Sequence, residues 1–285
     1  MSEPAVPQPP APAVRRGPRR AAAGLVAALA ALALAACGTA NGALRPEPGT
    51  SAPATPAPTP SLTPTAVPTA VPTPAPPPAT SPGSGDPAPV VHSTASGGRT
   101  VALTFDDGPG PATGQVLDLL AQYGAKATFC LIGKQALASP ATVKRILAGG
   151  HRLCDHTVDH PQPFAALPHD RAVHEIADGR RMIVQAGGPD TEVGWFRAPG
   201  GAFTPGNRAI AADHGLRPLG WSVDPRDWSR PGTAAIVSAV QAQLKPGGVV
   251  LLHDGGGDRA QTVAALRQLL PWLTAQGYRF DVPAG

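Results

Sequence analysis

Strand-like and helix-like segments alternate along this chain from residue 98 to its end. The apolar run TVALTF at 100–105 precedes a helix-like stretch at 113–124, where Val116, Leu117 and Leu120 share one face. The alternation continues through strand-like runs at 126–133, 151–156, 193–199, 216–223, 247–253 and 278–282. Repeated strand and helix units place their strands in a parallel sheet. The sequence therefore predicts an α/β fold of about seven parallel strands, either closed as a barrel or open.

The first 37 residues have the composition of an export signal. Four arginines within 15–20 precede an uncharged, Ala/Leu-rich run of sixteen residues at 21–36. That length suits the core of a signal peptide better than a membrane-spanning helix. The run ends in LAACG, where small residues lead to Cys37. This ending resembles the lipobox of bacterial lipoproteins, in which the cysteine is lipidated and becomes the new N-terminus.

Two interpretations of this leader remain open. In the first, residues 1–37 are a lipoprotein-type signal peptide, and lipid on Cys37 anchors the exported protein to the outer face of the bacterial cytoplasmic membrane. In the second, an ordinary secretory signal releases the protein to the cell wall or medium, and the cysteine is a coincidence. The paired arginines leave both Sec and twin-arginine export open.

Residues 38–97 are dominated by Pro, Thr and Ala. Sixteen prolines lie between Pro46 and Pro89, and each one removes a backbone hydrogen-bond donor. So few large apolar side chains cannot offset the conformational entropy that folding costs. We therefore predict a disordered linker at 38–97 and one folded domain at 98–285.

Charge is nearly balanced in the predicted domain. Residues 99–285 contain 18 Lys and Arg against 16 Asp and Glu, and no basic run is longer than a pair. The pattern argues against a nucleic-acid partner, because the positive charge of the whole chain comes partly from the leader. We expect the protein to be a monomer.

The residues capable of acid, base or metal chemistry come directly after the predicted strands. In parallel α/β folds the carboxyl ends of the strands converge on one face, where active sites assemble. Scattered surface charges would not follow that order. The residues at these positions are Asp106, Asp107, His156, His160, Arg197, Asp224, Asp227 and His253.

The aspartate pair at 106–107 and the segment HTVDH at 156–160 together indicate a metal site. Imidazoles four residues apart lie on one face of a helical turn, close enough to bind one ion. With a carboxylate from another strand end they form a two-histidine, one-carboxylate site with open positions. One aspartate would bind the ion, whose charge keeps the other ionised as a base. A solvated turn is the alternative interpretation of the aspartate pair.

Five segments carry a resemblance to a known family: TFDDGP (104–109), HTVDH (156–160), RAPGG (197–201), DPRDW (224–228) and VLLH (250–253). Their order and spacing resemble the five motifs of the polysaccharide deacetylases, the NodB-homology domain of carbohydrate esterase family 4. The resemblance covers residues 98–283 and implies a distorted (β/α) barrel. It also implies a metal-dependent hydrolase of carbon–nitrogen bonds other than peptide bonds. Such an enzyme removes N-acetyl groups from the amino sugars of an extracellular or cell-wall polysaccharide, such as peptidoglycan or chitin-like oligomers.

The resemblance assigns roles to individual residues of these motifs. One divalent ion, commonly zinc, with Co²⁺, Ni²⁺ or Mn²⁺ as alternatives, would be held by Asp107, His156 and His160. The acid–base groups would be Asp106 as general base on a water that the metal polarises, Arg197 as its partner, His253 as general acid and Asp227 as the residue that tunes it. The substrate-binding groups would be Trp228 and Leu251 around the acetyl group and the Gly200 N–H at the oxyanion.

The chain departs from the usual family pattern at two positions. Many relatives have Asn where this chain has Asp155, and some have an aromatic residue where it has Gly200. We expect the first to add negative charge near the metal and the second to widen the groove, so substrate preference is in question. An O-acetyl esterase acting on xylan and a non-catalytic glycan-binding relative are the alternative functions.

The cysteines and tryptophans of the domain also lead to expectations. Cys130 and Cys154 lie in consecutive predicted strands, where either a disulfide or two buried free thiols fits the sequence. We expect Trp195, Trp221 and Trp272 to be core residues rather than sugar platforms.

Overall fold

The computed structural model describes residues 88–285, so the leader with Cys37 and most of the predicted linker lie outside the described residues. The strands are β1 (Thr100–Gly108), β2 (Ala127–Leu131), β3 (Arg152–Asp155), β4 (Val193–Phe196), β5 (Arg217–Pro218), β6 (Gly248–His253) and β7 (Arg279–Phe280). The helices are α1 (Thr113–Gln122), α2 (Gly133–Ala138), α3 (Pro140–Ala148), α4 (His169–Gly187), α5 (Pro205–Asp213), α6 (Thr233–Gln243) and α7 (Ala260–Ala275). Within residues 88–285, no helix has both the length and the hydropathy to cross a bilayer.

The seven strands form one parallel sheet. The strands are paired in the order β5-β4-β3-β2-β1-β6. The short strand β7 also pairs with β1, at the beginning of that strand. An isolated bridge between Val223 and Val250 joins the chain after β5 to β6, so the sheet curls toward closure. The predicted α/β barrel of seven parallel strands is thereby confirmed, in the form of a curled, incompletely closed barrel.

Residues 88–96 run along the gap in this barrel. Val91 bridges to Leu219 after β5, and Ser93 bridges to Gly248 at the start of β6. Nδ1 of His92 lies 2.9 Å from the carbonyl oxygen of Trp221. The chain that leads into β1 therefore contacts both edges of the sheet before it enters the barrel.

Side chains of β1 alternate between two environments. Leu103 and Phe105 belong to the main core between sheet and helices, whereas Ala102 belongs to a small cluster inside the barrel. By the same alternation Thr104 and Asp106 face the interior. The register then places Asp106 beside His253 of β6, which brings two functional side chains together.

The interior cluster settles the expectations for the cysteines and corrects one for the tryptophans. Cys130 of β2 and Cys154 of β3 are paired in register and form a disulfide. Trp195 is buried in this cluster, and Trp272 packs against the main core. Trp221 packs against this cluster but is only partly buried and also lines the cleft described below, so the expectation of a core residue holds for it only in part.

Candidate active site

The loops after β1 and β3 bring one carboxylate and two imidazoles together. The Nε2 atoms of His156 and His160 each lie 3.6 Å from Oδ1 of Asp107. One ligand atom from each of the three residues lies within 4.8 Å of the other two. Oδ1 of Asp107 is buried and has no hydrogen-bond partner within residues 88–285. A buried oxygen without a partner is costly, and a cation at this position would satisfy it.

Both imidazoles are prepared to act as metal ligands. Nδ1 of His156 lies 2.7 Å from the carbonyl oxygen of Arg197, and because a carbonyl only accepts, Nδ1 carries the proton. Its Nε2 therefore presents a lone pair toward Asp107. Burial, together with the neighbouring His156, lowers the pKa of His160, which keeps that imidazole neutral.

The segment that carries these histidines is an irregular loop. The prediction of a helical turn at 156–160 was wrong, because Thr157 and His160 have positive φ angles of 72° and 59°. The N–H of His160 donates to Oγ1 of Thr157 at 3.0 Å, which helps hold this conformation. Asp107 also has a positive φ, of 69°. Unfavourable backbone conformations of this kind occur preferentially at functional sites.

Asp106 and Arg197 form a buried ion pair inside the barrel. Nη1 of Arg197 donates to Oδ1 of Asp106 at 2.6 Å and to Oγ1 of Thr104 at 2.9 Å. Nε and Nη2 of the guanidinium donate to the carbonyl oxygens of Leu219 and Gly220, each at 3.0 Å. The guanidinium is therefore fixed on three sides, and it fixes the carboxylate in turn.

The surroundings of Asp106 keep it ionised. Burial alone would raise the pKa of its carboxyl group, but the charge and hydrogen bond of Arg197, with the charge of His253, outweigh that effect. The pKa of Asp106 consequently lies below its ordinary value. An ionised carboxylate with one oxygen bound to Arg197 keeps its second oxygen for another partner.

His253 is held by a carboxylate on the opposite side of the site. Nδ1 of His253 lies 2.7 Å from Oδ1 of Asp227, and the His253 N–H donates to Oδ2 of Asp227 at 2.9 Å. Oγ1 of Thr262 donates to the same Oδ2 at 2.7 Å. Burial lowers the pKa of His253, but the hydrogen bond and charge of Asp227 raise it more, so the pKa lies above its ordinary value.

These groups surround a single cleft of about 460 Å³. Its lining residues are Asp106, Asp107, His156, His160, Gln162, Ala198, Gly200, Gly201, Trp221, Asp224, Trp228, Leu251, His253 and Arg259. Every site residue expected in the folded domain therefore lines the cleft, except Arg197 and Asp227, which lie behind Asp106 and His253. Cys37 lies outside the described residues.

A larger groove of about 680 Å³ adjoins the cleft and shares Asp107 and Arg259 with it. Polar side chains from three helices line it, including Gln115, Gln135 and Arg267. It contains no second histidine or aspartate cluster of the kind found in the cleft, within the part of the chain that the structure describes. The candidate metal-binding and acid–base side chains therefore lie in the smaller cleft, and the groove extends the protein surface beside it.

Comparison with known proteins identifies the family. The family model described as polysaccharide deacetylase matches residues 93–219. A peptidoglycan-N-acetylglucosamine deacetylase of Bacillus cereus is 44% identical over 186 residues, which are 64% of this chain and 85% of that protein. This chain belongs to the polysaccharide deacetylase family. A chitooligosaccharide deacetylase of Sinorhizobium fredii is 41% identical over 199 residues, covering 66% of this chain and 92% of that protein.

Solved structures of polysaccharide deacetylases share the fold. A pseudoenzyme of carbohydrate esterase family 4 from Bacillus anthracis superimposes with a TM-score of 0.62 at 28% identity, over 68% of this chain and 66% of that one. Membership of the family therefore does not by itself establish turnover. Turnover has to be inferred from the geometry of the acid, base and metal-binding groups.

The two departures from the usual deacetylase pattern have different surroundings. Asp155 does not line the cleft; its Oδ1 accepts from the Thr157 N–H at 3.1 Å, beside Gly179 of α4. Burial, reinforced by Glu175, raises the pKa of Asp155 well above its ordinary value. The Asp155 carboxyl group thus faces the loop and α4 and not the cleft, and its contribution to the charge near the metal stays a prediction. Gly200 does line the cleft, with a φ of 63°.

Several residues in and around this cleft were not predicted from the sequence. Gln162 and Arg259 line it, and Asp254 packs its buried carboxyl group against Gly108, where any Cβ would collide with it. The N–H of Asp254 also donates to the carbonyl oxygen of Asp106 at 3.1 Å. The available signal was the segment DGGGDR directly after His253, which follows a strand end as the predicted residues do.

Proposed function

We propose that this chain hydrolyses N-acetyl groups on the amino sugars of a cell-envelope polysaccharide, with the help of one divalent metal ion. The observation that carries the proposal is a single cleft with three features. These are a carboxylate whose pKa is lowered, an imidazole whose pKa is raised and a three-residue metal site, at Asp106, His253 and Asp107-His156-His160. Amide hydrolysis requires a base, an acid and stabilisation of a developing oxyanion, and this cleft offers groups for each.

The residues present fit a divalent cation. Asp107, His156 and His160 would hold it, because their three ligand atoms converge and Oδ1 of Asp107 otherwise lacks a partner. Two imidazoles and a carboxylate favour zinc, with cobalt, nickel and manganese as alternatives. When bound, such a cation supplies Lewis acidity that polarises an acetyl carbonyl and acidifies water.

Asp106 acts as the general base. Its carboxylate is ionised and is held by Arg197, so it can accept a proton from the water that attacks the acetyl carbon. The Arg197 side chain is fully buried and bonded at each of its nitrogens, so the base does not have to reorient during the reaction.

His253 acts as the general acid. Asp227 holds the Nδ1 proton and favours the imidazolium form, which leaves the Nε2 proton for the departing amine. An amine is a poor leaving group unless its nitrogen is protonated. Trp228 and Leu251 line the cleft beside His253 and would enclose the acetyl methyl group, while the N–H of Gly200 would donate to the oxyanion.

N-acetylglucosamine in a polymer is the substrate that we propose. The names of the two relatives above specify peptidoglycan N-acetylglucosamine and chitooligosaccharides, which share that sugar. The polar groove beside the cleft offers a surface for neighbouring sugars of a chain. Peptidoglycan is the polymer nearest to an exported bacterial protein.

Metal removal and replacement tests this proposal. We expect the purified protein to release acetate from N-acetylglucosamine oligomers, to lose this activity with a chelator, and to regain it when Zn²⁺ is added. Acetylated xylan serves as the second substrate and His169→Ala as a matched histidine control, since His169 lies outside the cleft. Acetate from xylan alone would establish the esterase alternative. Tight oligosaccharide binding without acetate release would establish the non-catalytic alternative.

We also propose that the protein is exported and anchored by lipid on Cys37. The support is the leader sequence at 1–37, whose apolar run ends directly at that cysteine. Mass spectrometry of the mature protein should show Cys37 as a lipid-modified N-terminus in the membrane fraction, and Cys37→Ala should abolish the modification. An unmodified mature protein in the medium would contradict the anchor without affecting the proposed chemistry.

A further inference from the structure

Arg259 is a buried cation that the proposed mechanism does not use. The residue is 6% exposed, and within residues 88–285 no carboxylate lies at ion-pair distance from its guanidinium. It directly precedes α7 and lines both the cleft and the adjoining groove. A buried guanidinium without an acidic partner is costly unless hydrogen bonds compensate it. Its hydrogen bonds therefore indicate what the residue contributes.

The three donor groups of Arg259 all go to backbone carbonyl oxygens. Nε donates to Gly255 at 2.6 Å, and Nη2 donates to Gly256 at 3.0 Å. Nη1 donates to Trp228 at 3.3 Å. The planar guanidinium therefore joins the turn after β6 to the loop that carries Trp228, a geometry that a lysine ammonium cannot reproduce.

The two segments joined by Arg259 form adjacent parts of the cleft. A Cβ on Gly256 would lie 3.1 Å from Nη2 of Arg259 and even closer to Oδ2 of Asp107, so this turn fits tightly between the two side chains. Trp228 is 45% exposed, and the Arg226 guanidinium lies 5.2 Å from the centroid of its ring. The Trp228 side chain is therefore not fixed by core packing. On its loop the neighbouring Asp227 is bonded to His253 and Thr262, and Arg259 binds the carbonyl oxygen of Trp228 itself.

We propose that Arg259 is a positioning residue that sets the acyl-group selectivity of the cleft by holding the Trp228 wall in place. The inference rests on the proposed function, in which Trp228 and Leu251 enclose the acetyl methyl group. A wall fixed by Arg259 leaves room for a methyl group and excludes a longer acyl chain. Without that hydrogen bond the Trp228 loop can retreat, and a propionyl group can enter.

The test compares N-acetylated with N-propionylated glucosamine oligomers by release of free amine from the full chain. One methylene in an apolar pocket is worth about 10–200-fold, so we expect the unaltered chain to prefer acetyl by at least about tenfold. Arg259→Met should reduce this preference to about threefold or less. Arg259→Lys should not restore it, because the planar guanidinium with its several donors is required and not the charge alone. Arg99→Met is the matched control, since Arg99 also donates to a backbone carbonyl but precedes β1 at the other end of the barrel.

Different results identify which idea has failed. An unaltered acetyl preference in folded Arg259→Met or Arg259→Lys protein would overturn the role of Arg259, as would equal relaxation in Arg99→Met. If the unaltered chain releases amine from neither substrate, the proposed function fails. The acyl-group selectivity of the cleft is then measured as the ratio of its binding affinities for acetate and propionate. A preference for acetate that is lost in Arg259→Lys would still support the positioning role, and its retention would refute it. Circular dichroism shows which variants are folded.

Discussion

Replacing Asp106 with Asn should lower kcat for acetate release by about 10²–10⁴-fold, the usual contribution of a general base. The amide cannot accept a proton from water at neutral pH, whereas its oxygen can still accept the hydrogen bond that Arg197 now donates at 2.6 Å. The cleft should therefore keep its shape and its affinity for the oligomer, so that KM changes little. Steady-state acetate release, with metal content measured in the same preparation, checks this expectation.

Two controls separate loss of the base from loss of the fold. Asp190→Asn removes an exposed carboxylate outside the cleft and should leave kcat unchanged. The melting temperature of Asp106→Asn should fall, because the buried Arg197 guanidinium loses its carboxylate partner. Circular dichroism at the assay temperature should still show a folded protein, because Arg197 keeps its bonds to Thr104, Leu219 and Gly220. Near-normal kcat in a folded Asp106→Asn protein would remove Asp106 from the mechanism.

Much of the site could be predicted because it obeys a rule about order along the chain. Asp106 ends a strand-like run and His253 ends another, and parallel strands deliver their carboxyl ends to one face whatever their exact register. Neither the bounds of the helices nor the two-residue length of β5 affects that argument. The parallel α/β sheet and the convergence of these side chains therefore followed from the alternation of segments, whereas the barrel form was implied by the family resemblance.

The local geometry could not be predicted, because it depends on contacts between distant segments. His156 and His160 were assigned to a helical turn from their spacing alone, but positive φ angles at Thr157 and His160 turn them toward Asp107 in a loop. Such conformations are stabilised by the surrounding fold and not by local propensity. The four-residue spacing predicted that His156 and His160 bind one ion together, but it did not predict the backbone conformation that brings them together.

Arg259 and Trp221 show a different limit of prediction from sequence. Sequence patterns treat an arginine before a helix as a surface residue and a tryptophan as a core residue. Arg259 is buried because three carbonyl oxygens from two loops converge on it, and Trp221 lines the cleft beside Gly201, where a Cβ would strike its ring. These roles follow from how loops meet above the sheet, which no periodicity encodes.

Replacing His253 with Ala should lower kcat for the N-acetyl substrate by about 10²–10⁴-fold while sparing an activated ester. The departing amine needs a proton from the imidazolium, whereas p-nitrophenolate leaves without one. Acetate release from the oligomer and nitrophenol release from p-nitrophenyl acetate, measured on one preparation, give the two rates. Equal losses on both substrates would show that His253 shapes the cleft and does not donate a proton.

Asp227→Asn tests the same acid through its dependence on pH. The imidazolium of His253 must be present at the start of the reaction, so activity is lost as the pH rises through its pKa. Burial lowers the pKa of His253, and the hydrogen bond and charge of Asp227 raise it above the ordinary value. Removing that charge should therefore move the alkaline limb of the kcat profile to lower pH, whereas the acidic limb, which reports protonation of Asp106, should move less. An alkaline limb that stays in place would mean that another group supplies the proton.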